Sequence, residues 1–345
     1  MPKNGVINPI HPTVLPFLDP AFIDLYNKHM GVLPAEPPPL EKARIAYSNY
    51  CSFVKTPPAE VGKVWDSTVP GHGDNVEIKI KVYEPEGTGP FPVHLNFHGG
   101  GWALGDLGTD AQILSHVCKN ASVAIIDVEY RLVPENAFPT GLLDSFAALK
   151  HVYTHGQERF GIDPDRISLG GSSAGGNVAL VLAHLARDAA IPLKLVTVGV
   201  PVVYDWRACS NTADSPFPSV REMELAPTLN WEKLKHFDNL KWASLSDDLG
   251  TRAKQMQDVS WFANALEAPN FEKLPKTVIY TAECDPLRDE GEAYARKLVE
   301  AGTEVTVKRF KGVPHHFMHM NKALEQGQDF IDMTSREIRH ALHNL

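Results

Sequence analysis

Arg166-Ile167-Ser168-Leu169-Gly170-Gly171-Ser172-Ser173-Ala174-Gly175-Gly176-Asn177-Val178 is the stretch that decides the fold. Its first five residues read as a short buried strand. From Gly176 onward, Val178, Leu180, Val181, Leu182 and Leu185 recur at helical spacing. Between the two lies Gly171-Ser172-Ser173-Ala174-Gly175, a G-x-S-x-G turn from strand into helix. Such a turn holds its central serine in a strained, exposed position at the head of a helix, and the flanking glycines let it close without side-chain clashes. Ser173 is therefore the candidate nucleophile, and its neighbour Ser172 is expected to be structural. Five residues arise by chance often enough that the pattern needs support elsewhere in the chain.

Support lies upstream, in Phe91-Pro92-Val93-His94-Leu95-Asn96-Phe97-His98-Gly99-Gly100-Gly101-Trp102. Val93, Leu95 and Phe97 alternate as in a strand and lead into three consecutive glycines. Glycine lets backbone N–H groups turn toward a ligand with no Cβ in the way. The amides of Gly99 and Gly100, with that of Ala174, are the candidate oxyanion donors. His98 is expected to anchor this loop, and Trp102 to wall a substrate pocket. A serine needs a base, and on this scaffold the order along the chain is serine, acid, histidine. The strand-like run Lys276–Thr281 is followed by Asp285, with Asp289 as the competing acid at the start of a helix. The last strand, about Glu304 to Phe310, is followed by His315, His316 and His319 as candidate bases.

With these residues the chain resembles the hormone-sensitive-lipase-like carboxylesterases of the α/β-hydrolase fold. Three further segments carry the resemblance: Tyr130-Arg131-Leu132-Val133-Pro134-Glu135, Asp285-Pro286-Leu287-Arg288-Asp289-Glu290-Gly291 and His315-His316-Phe317. It runs from about Val76 to the C-terminal helix. Two departures stand out, Ser172 where the family usually has Asp and His316 where it has Gly. The family pattern His-Gly-Phe aligns on Phe317 and makes His315 the base, with Asp285 as the acid that orients it. The resemblance further implies a Ser173–His315–Asp285 triad acting through an acyl-enzyme on small or medium acyl esters, under a cap that limits access. It leaves room for thioester, lactone, cyclisation, acyl-transfer or lyase chemistry, or for a receptor that only binds. Monomers or homodimers are the expected states.

Composition is ordinary for a globular protein, with 43% hydrophobic and 22% charged residues in 345. The net charge of −9, from 33 Lys and Arg against 42 Asp and Glu, argues against a nucleic-acid partner. No apolar run is long enough for a signal-peptide core or a membrane span, so neither secretion nor a membrane is expected. Cys51, Cys118, Cys209 and Cys284 are widely spaced, with no metal-binding pattern, and fit reduced thiols in a cytoplasmic protein. No metal, phosphate-loop or dinucleotide motif is present, so no cofactor is expected.

Strands at Val76–Val82, Val93–Phe97, Val123–Ile126, Ile167–Gly170, Leu193–Val203, Lys276–Thr281 and Glu304–Arg309 alternate with helices at Thr140–Tyr153, Asp289–Glu300 and Gln326–Leu342. Such alternation predicts a mostly parallel sheet flanked by helices. The catalytic domain is assigned to residues 61–204 and 270–345. Residues 1–60 read as a helical, proline-punctuated cap segment, with Phe17, Phe22, Leu25 and Tyr26 on one apolar face and a stiff connector at Pro34–Pro39. Residues 205–269 break the alternation and gather Trp206, Trp231, Phe237, Trp242, Trp261 and Phe262, which predicts a cap insertion above the strand ends. Most of these aromatics are expected to pack the cap itself, with one or two facing substrate.

Overall fold

The computed structural model describes residues 5–34, 38–47, 54–245, 251, 254, 256 and 259–343. Cys51 and the middle of the Pro34–Pro39 connector lie outside the described residues. Eight strands form one sheet: β1 (Lys63–Pro70), β2 (Glu77–Glu84), β3 (Phe91–Phe97), β4 (Ala124–Val128), β5 (Ile162–Ser172), β6 (Leu193–Gly199), β7 (Thr277–Cys284) and β8 (Val305–Pro314). Their spatial order is β1-β2-β4-β3-β5-β6-β7-β8. The first two pairings, β1 with β2 and β2 with β4, are antiparallel, and the five that follow are parallel. This is the α/β-hydrolase arrangement that the alternation and the resemblance predict.

The helices in chain order are α1 (Pro20–Leu25), α2 (Leu40–Tyr47), α3 (Ala111–Ala121), α4 (Thr140–Phe160), α5 (Ala174–Asp188), α6 (Pro218–Glu222), α7 (Trp231–Trp242), α8 (Ser260–Ala263), α9 (Arg288–Glu300) and α10 (Glu325–His343). The sheet separates two apolar clusters, one under α4, α5 and α9 and the other under α3 and α10. Central strands covered on both faces carry unbroken apolar runs, as in Ala124–Val128, every residue of which is buried. Strand β2 instead alternates: Ile78, Ile80 and Val82 point inward between exposed or half-buried lysines.

Two elements escape the sequence reading. Strand β1 is an edge strand in which only Val69 is buried, so it carries almost no apolar signal. Helix α3 buries Ile113, Leu114, Val117, Cys118 and Ala121, a helical spacing that the sequence does carry. Helix α4 also runs to Phe160, beyond the expected Tyr153, and ends on Gly161 at φ 63°. The N-terminal face is partly corrected: Phe22, Leu25 and Tyr26 are buried, but Phe17 is 53% exposed. Phe17 belongs to a separate helical turn, Leu15–Phe17, that ends before α1 begins, so the helical spacing does not carry across it. Strand β8 extends through Pro314, so Gly312–Pro314 are strand rather than loop.

Candidate active site

Parallel register brings the two glycine motifs together. Phe97 at the end of β3 pairs with Gly171 near the end of β5, so the glycine loop and the G-x-S-x-G turn leave neighbouring strands at the same level. Ser173 sits at φ 55°, ψ −119°, a conformation rare for a residue with a Cβ, and caps the N-terminus of α5. The turn is held by Ser173 N–H donating to Gly199 O at 2.9 Å and by Val202 N–H donating to Ser173 O at 3.3 Å. A side chain on Gly171 or Gly175 would collide with the carbonyl oxygen of Phe97. Both glycines are therefore required by how closely β3 approaches the turn. Ser172 lies behind, its Oγ 3.0 Å from where a Cβ on Gly99 would stand.

The same device positions the other two residues. Cys284 of β7 pairs with Pro314 of β8, and the next residue on each chain is Asp285 and His315. Asp285 is fully buried. Its Oδ1 accepts from Leu287 N–H at 2.9 Å, and its Oδ2 lies 2.7 Å from His315 Nδ1. His315 Nε2 lies 2.9 Å from Ser173 Oγ. A carboxylate at Nδ1 selects the tautomer with its proton there, which leaves Nε2 free to accept from the serine hydroxyl.

The competing residues are engaged elsewhere. Asp289 accepts from Ser219 N–H at 2.7 Å and pairs with Arg288 at 2.8 Å. His319 Nε2 lies 2.8 Å from Asp110 Oδ1. His316 stands edge-on to His315, its Nε2 3.5 Å from Tyr47 Oη. Burial, reinforced by His315, His319 and Lys233, holds its pKa well below the usual histidine range.

The glycine loop is shaped by its anchors. His98 is fully buried and stacks on Tyr130 with ring centroids 4.4 Å apart. Burial lowers its pKa, so the neutral ring donates from Nδ1 to Gly99 O at 2.8 Å, while Tyr130 Oη–H donates to His98 O at 2.8 Å. Gly100 at φ 116° has no room for a Cβ because Leu104 O occupies the space, and Gly101 at φ 60° is packed by the Phe237 ring. Arg44 of α2 was not singled out in the sequence. It donates to Ala103 O at 2.8 Å and to Val133 O at 2.9 Å, and its guanidinium forks onto Glu135 at 2.8 and 2.7 Å. An exposed Arg–Glu pair contributes little by itself, but here it fastens an N-terminal helix to the glycine loop. Only a contact 91 residues apart along the chain reveals that role.

Ser173 and His315 open into a cavity of about 580 Å³. Its wall includes Tyr26 from the N-terminal segment, Trp102 beside the glycine loop, and Trp206, Leu229, Phe237 and Lys241 from residues 205–269. Two of the six aromatics noted in that stretch, Trp206 and Phe237, thus face the cavity, while Trp242 and Phe262 are buried in packing. Among the described residues no group of three or more His, Cys, Asp or Glu side chains is placed to hold a metal ion. None of the described helices is long and apolar enough to cross a membrane.

Residues 94–319 match a family model described as the alpha/beta hydrolase fold. The chain belongs to this α/β-hydrolase family. Among similar α/β-hydrolases, an AB hydrolase superfamily protein of Schizosaccharomyces pombe is 30% identical over 93% of each chain. The carboxylesterase NlhH of Mycobacterium tuberculosis is 32% identical over 84% of this chain and 87% of its own. An esterase of Pyrobaculum calidifontis has a solved structure that superposes with a TM-score of 0.79 at 26% identity, covering 93% of this chain and 98% of that one. These likenesses bear out the hormone-sensitive-lipase-like resemblance within the α/β-hydrolases, and with it the assignment as an ester-hydrolysing enzyme.

Proposed function

We propose that this enzyme hydrolyses carboxylic esters of small or medium acyl groups, with Ser173 as nucleophile, His315 as general base and Asp285 orienting it. The observation that carries the reading is the continuous Ser173–His315–Asp285 relay, at 2.9 and 2.7 Å, on the wall of the cavity. Ser173 Oγ attacks the ester carbonyl carbon as His315 Nε2 takes its proton. The charge on the carbonyl oxygen is met by the amides of Gly99, Gly100 and Ala174, aligned in advance by the glycine loop and the α5 N-terminus. The tetrahedral species collapses, the alkoxide leaves with the proton from His315, and Ser173 keeps the acyl group. Water then gives its proton to His315 and attacks the acyl carbon, which releases the acid and restores the serine.

Residues 1–60 and 205–269 form the cap in this reading, and residues 61–204 and 270–345 the catalytic domain. Support comes from the cavity, which residues of both stretches wall and into which Ser173 and His315 open at the strand ends. A cytoplasmic setting is supported by the buried free thiols of Cys118, Cys209 and Cys284. The test is organophosphate labelling with mass spectrometry, alongside a nitrophenyl ester series assayed on the native protein and on Ser173→Ala. Label on Ser173 and a loss of turnover on the order of 10⁶-fold in the variant are expected. Label on another residue, or undiminished turnover in Ser173→Ala, overturns the mechanism.

A further inference from the structure

Helix α7 lines the cavity with Glu232, Leu234, His236 and Asp238 and with a stripe of Lys233, Phe237 and Lys241, spaced i, i+4 and i+8. Phe237 packs on Gly101, so the stripe is centred on the glycine loop and its two lysines lie on either side, about 12 Å apart along the helix. The two ammonium groups are in different states. Lys241 is fully buried, with its Nζ 3.1 Å from Asp238 Oδ1 and 4.6 Å from the centroid of the Trp102 ring. Its charge is answered within the protein. The third lysine of the helix, Lys235, donates to Trp206 O at 2.7 Å and lies 3.7 Å from the same Asp238.

Lys233 has no such answer. Its Nζ donates to one backbone carbonyl, Thr228 O, at 3.0 Å, and it makes no ion pair among the described residues. The acid that acts on it, Glu232, is the adjacent residue on the same cavity wall; it is exposed, and the two form no ion pair among the described residues. Burial lowers the Lys233 pKa, a sign that its charge is poorly solvated where it stands. Its field reaches His316, the residue next to the candidate base. A half-exposed cationic side chain with a single carbonyl partner, set in a mostly apolar wall, suits a ligand with an apolar body and one anionic end.

Resting on the ester-hydrolase reading above, we infer that the preferred substrates are esters that also carry a carboxylate, and that Lys233 binds that carboxylate as the ester carbonyl meets Ser173. Lys233 is thus a specificity-determining residue. The carboxylate gains charge-assisted hydrogen bonds from the Lys233 ammonium, and an uncharged isostere forgoes them.

Two matched pairs of probes test this: nitrophenyl hemiadipate against nitrophenyl hexanoate, and the butyrate ester of 4-hydroxybenzoate against phenyl butyrate. The native protein should favour the charged member of at least one pair by about tenfold or more in kcat/KM. Most of that factor should lie in KM. Lys233→Met should bring kcat/KM for the charged ester down to that of its uncharged partner, and Lys233→Arg should keep most of the preference. Added salt should shrink it in the native protein, a readout independent of any variant. The inference is overturned if neither pair shows a preference, or if the preference survives in Lys233→Met. A failure of the underlying reading looks different, since neither charged nor uncharged esters would then be turned over in a Ser173-dependent way.

Discussion

His319 Nε2 lies 2.8 Å from Asp110 Oδ1, and both side chains are buried. This pair ties the turn that carries His315 to the head of α3, on the far side of the glycine loop. Asp110 Oδ2 is reached in turn by Asn96 Nδ2 at 3.2 Å, and the same amide donates to Asp127 Oδ1 at 2.9 Å. The histidine partner and the Asn96 bond hold the Asp110 pKa below the ordinary carboxylate value against the opposing effect of burial. His319→Ala removes one hydrogen bond from a buried carboxylate that Asn96 still reaches, a loss of about 1.5–3 kcal/mol of stability. As a positioning residue, His319 should show its effect in kcat more than in KM, and His319→Gln should restore part of it. Chemical denaturation and steady-state kinetics on both variants check this; an unchanged kcat in a folded His319→Ala would show that the pair serves stability alone.

His315 and His316 separate on substitution. His315→Ala should lose on the order of 10⁶-fold in kcat. His316→Gly removes a cavity wall and the edge-on contact with His315, yet leaves the 2.9 Å approach of His315 to Ser173 in place. It should retain most of the turnover of small esters and accept bulkier ones more readily. A His316→Gly variant as inactive as His315→Ala would refute the assignment of the base.

Asp127 governs a pH-dependent part of stability. Burial, then the neighbouring Asp110 charge, raises its pKa well above the ordinary value, so the folded state holds a proton that the unfolded chain releases near pH 4. From about pH 4 up to its folded pKa the native protein binds more protons than the unfolded one, and stability falls as pH rises. Asp127→Asn keeps an acceptor for the Asn96 amide and removes this titration. Its Tm relative to the native protein should therefore rise between pH 4 and pH 8. Melting curves at the two pH values decide it, and an offset that does not change with pH would contradict the assignment.

Gly100 probes the proposed oxyanion loop. Alanine there meets both an unfavourable φ of 116° and the carbonyl oxygen of Leu104, so the loop must shift. Loss of a single aligned donor reduces kcat about 10²–10³-fold. Gly100→Ala should fall in that range with KM little changed, and organophosphate labelling of Ser173 should slow in parallel. Kinetics near the native rate would exclude the Gly100 amide from charge stabilisation.

Much of the candidate site was legible because its backbone geometry tolerates few residues. The turn at Ser173 needs glycine on both sides where β3 passes close, and the loop after Phe97 needs glycine at positive φ, so both left marks in the sequence. Asp285 was legible by following a strand and preceding a helix. His315 was harder, since three histidines crowd the same loop, and the register came from Phe317 alone. Arg44, Asn96, Asp110 and Asp127 were not legible as parts of the site. Their partners lie from 14 to 209 residues away, and a lone polar residue in a sequence carries no sign of which distant group will satisfy it.

The sequence by itself determined the order of strands and helices apart from β1 and α3, the two glycine turns and the expected chain order serine, acid, histidine. These depend on local backbone conformation and on hydrophobic period, which are properties of neighbouring residues. Only the tertiary structure decided what engages His316 and His319, which aromatics face the cavity and which lysine of α7 makes no ion pair among the described residues. Those outcomes depend on distances between segments far apart in the chain, set when β3 and β5, and β7 and β8, come into register beneath residues 205–269.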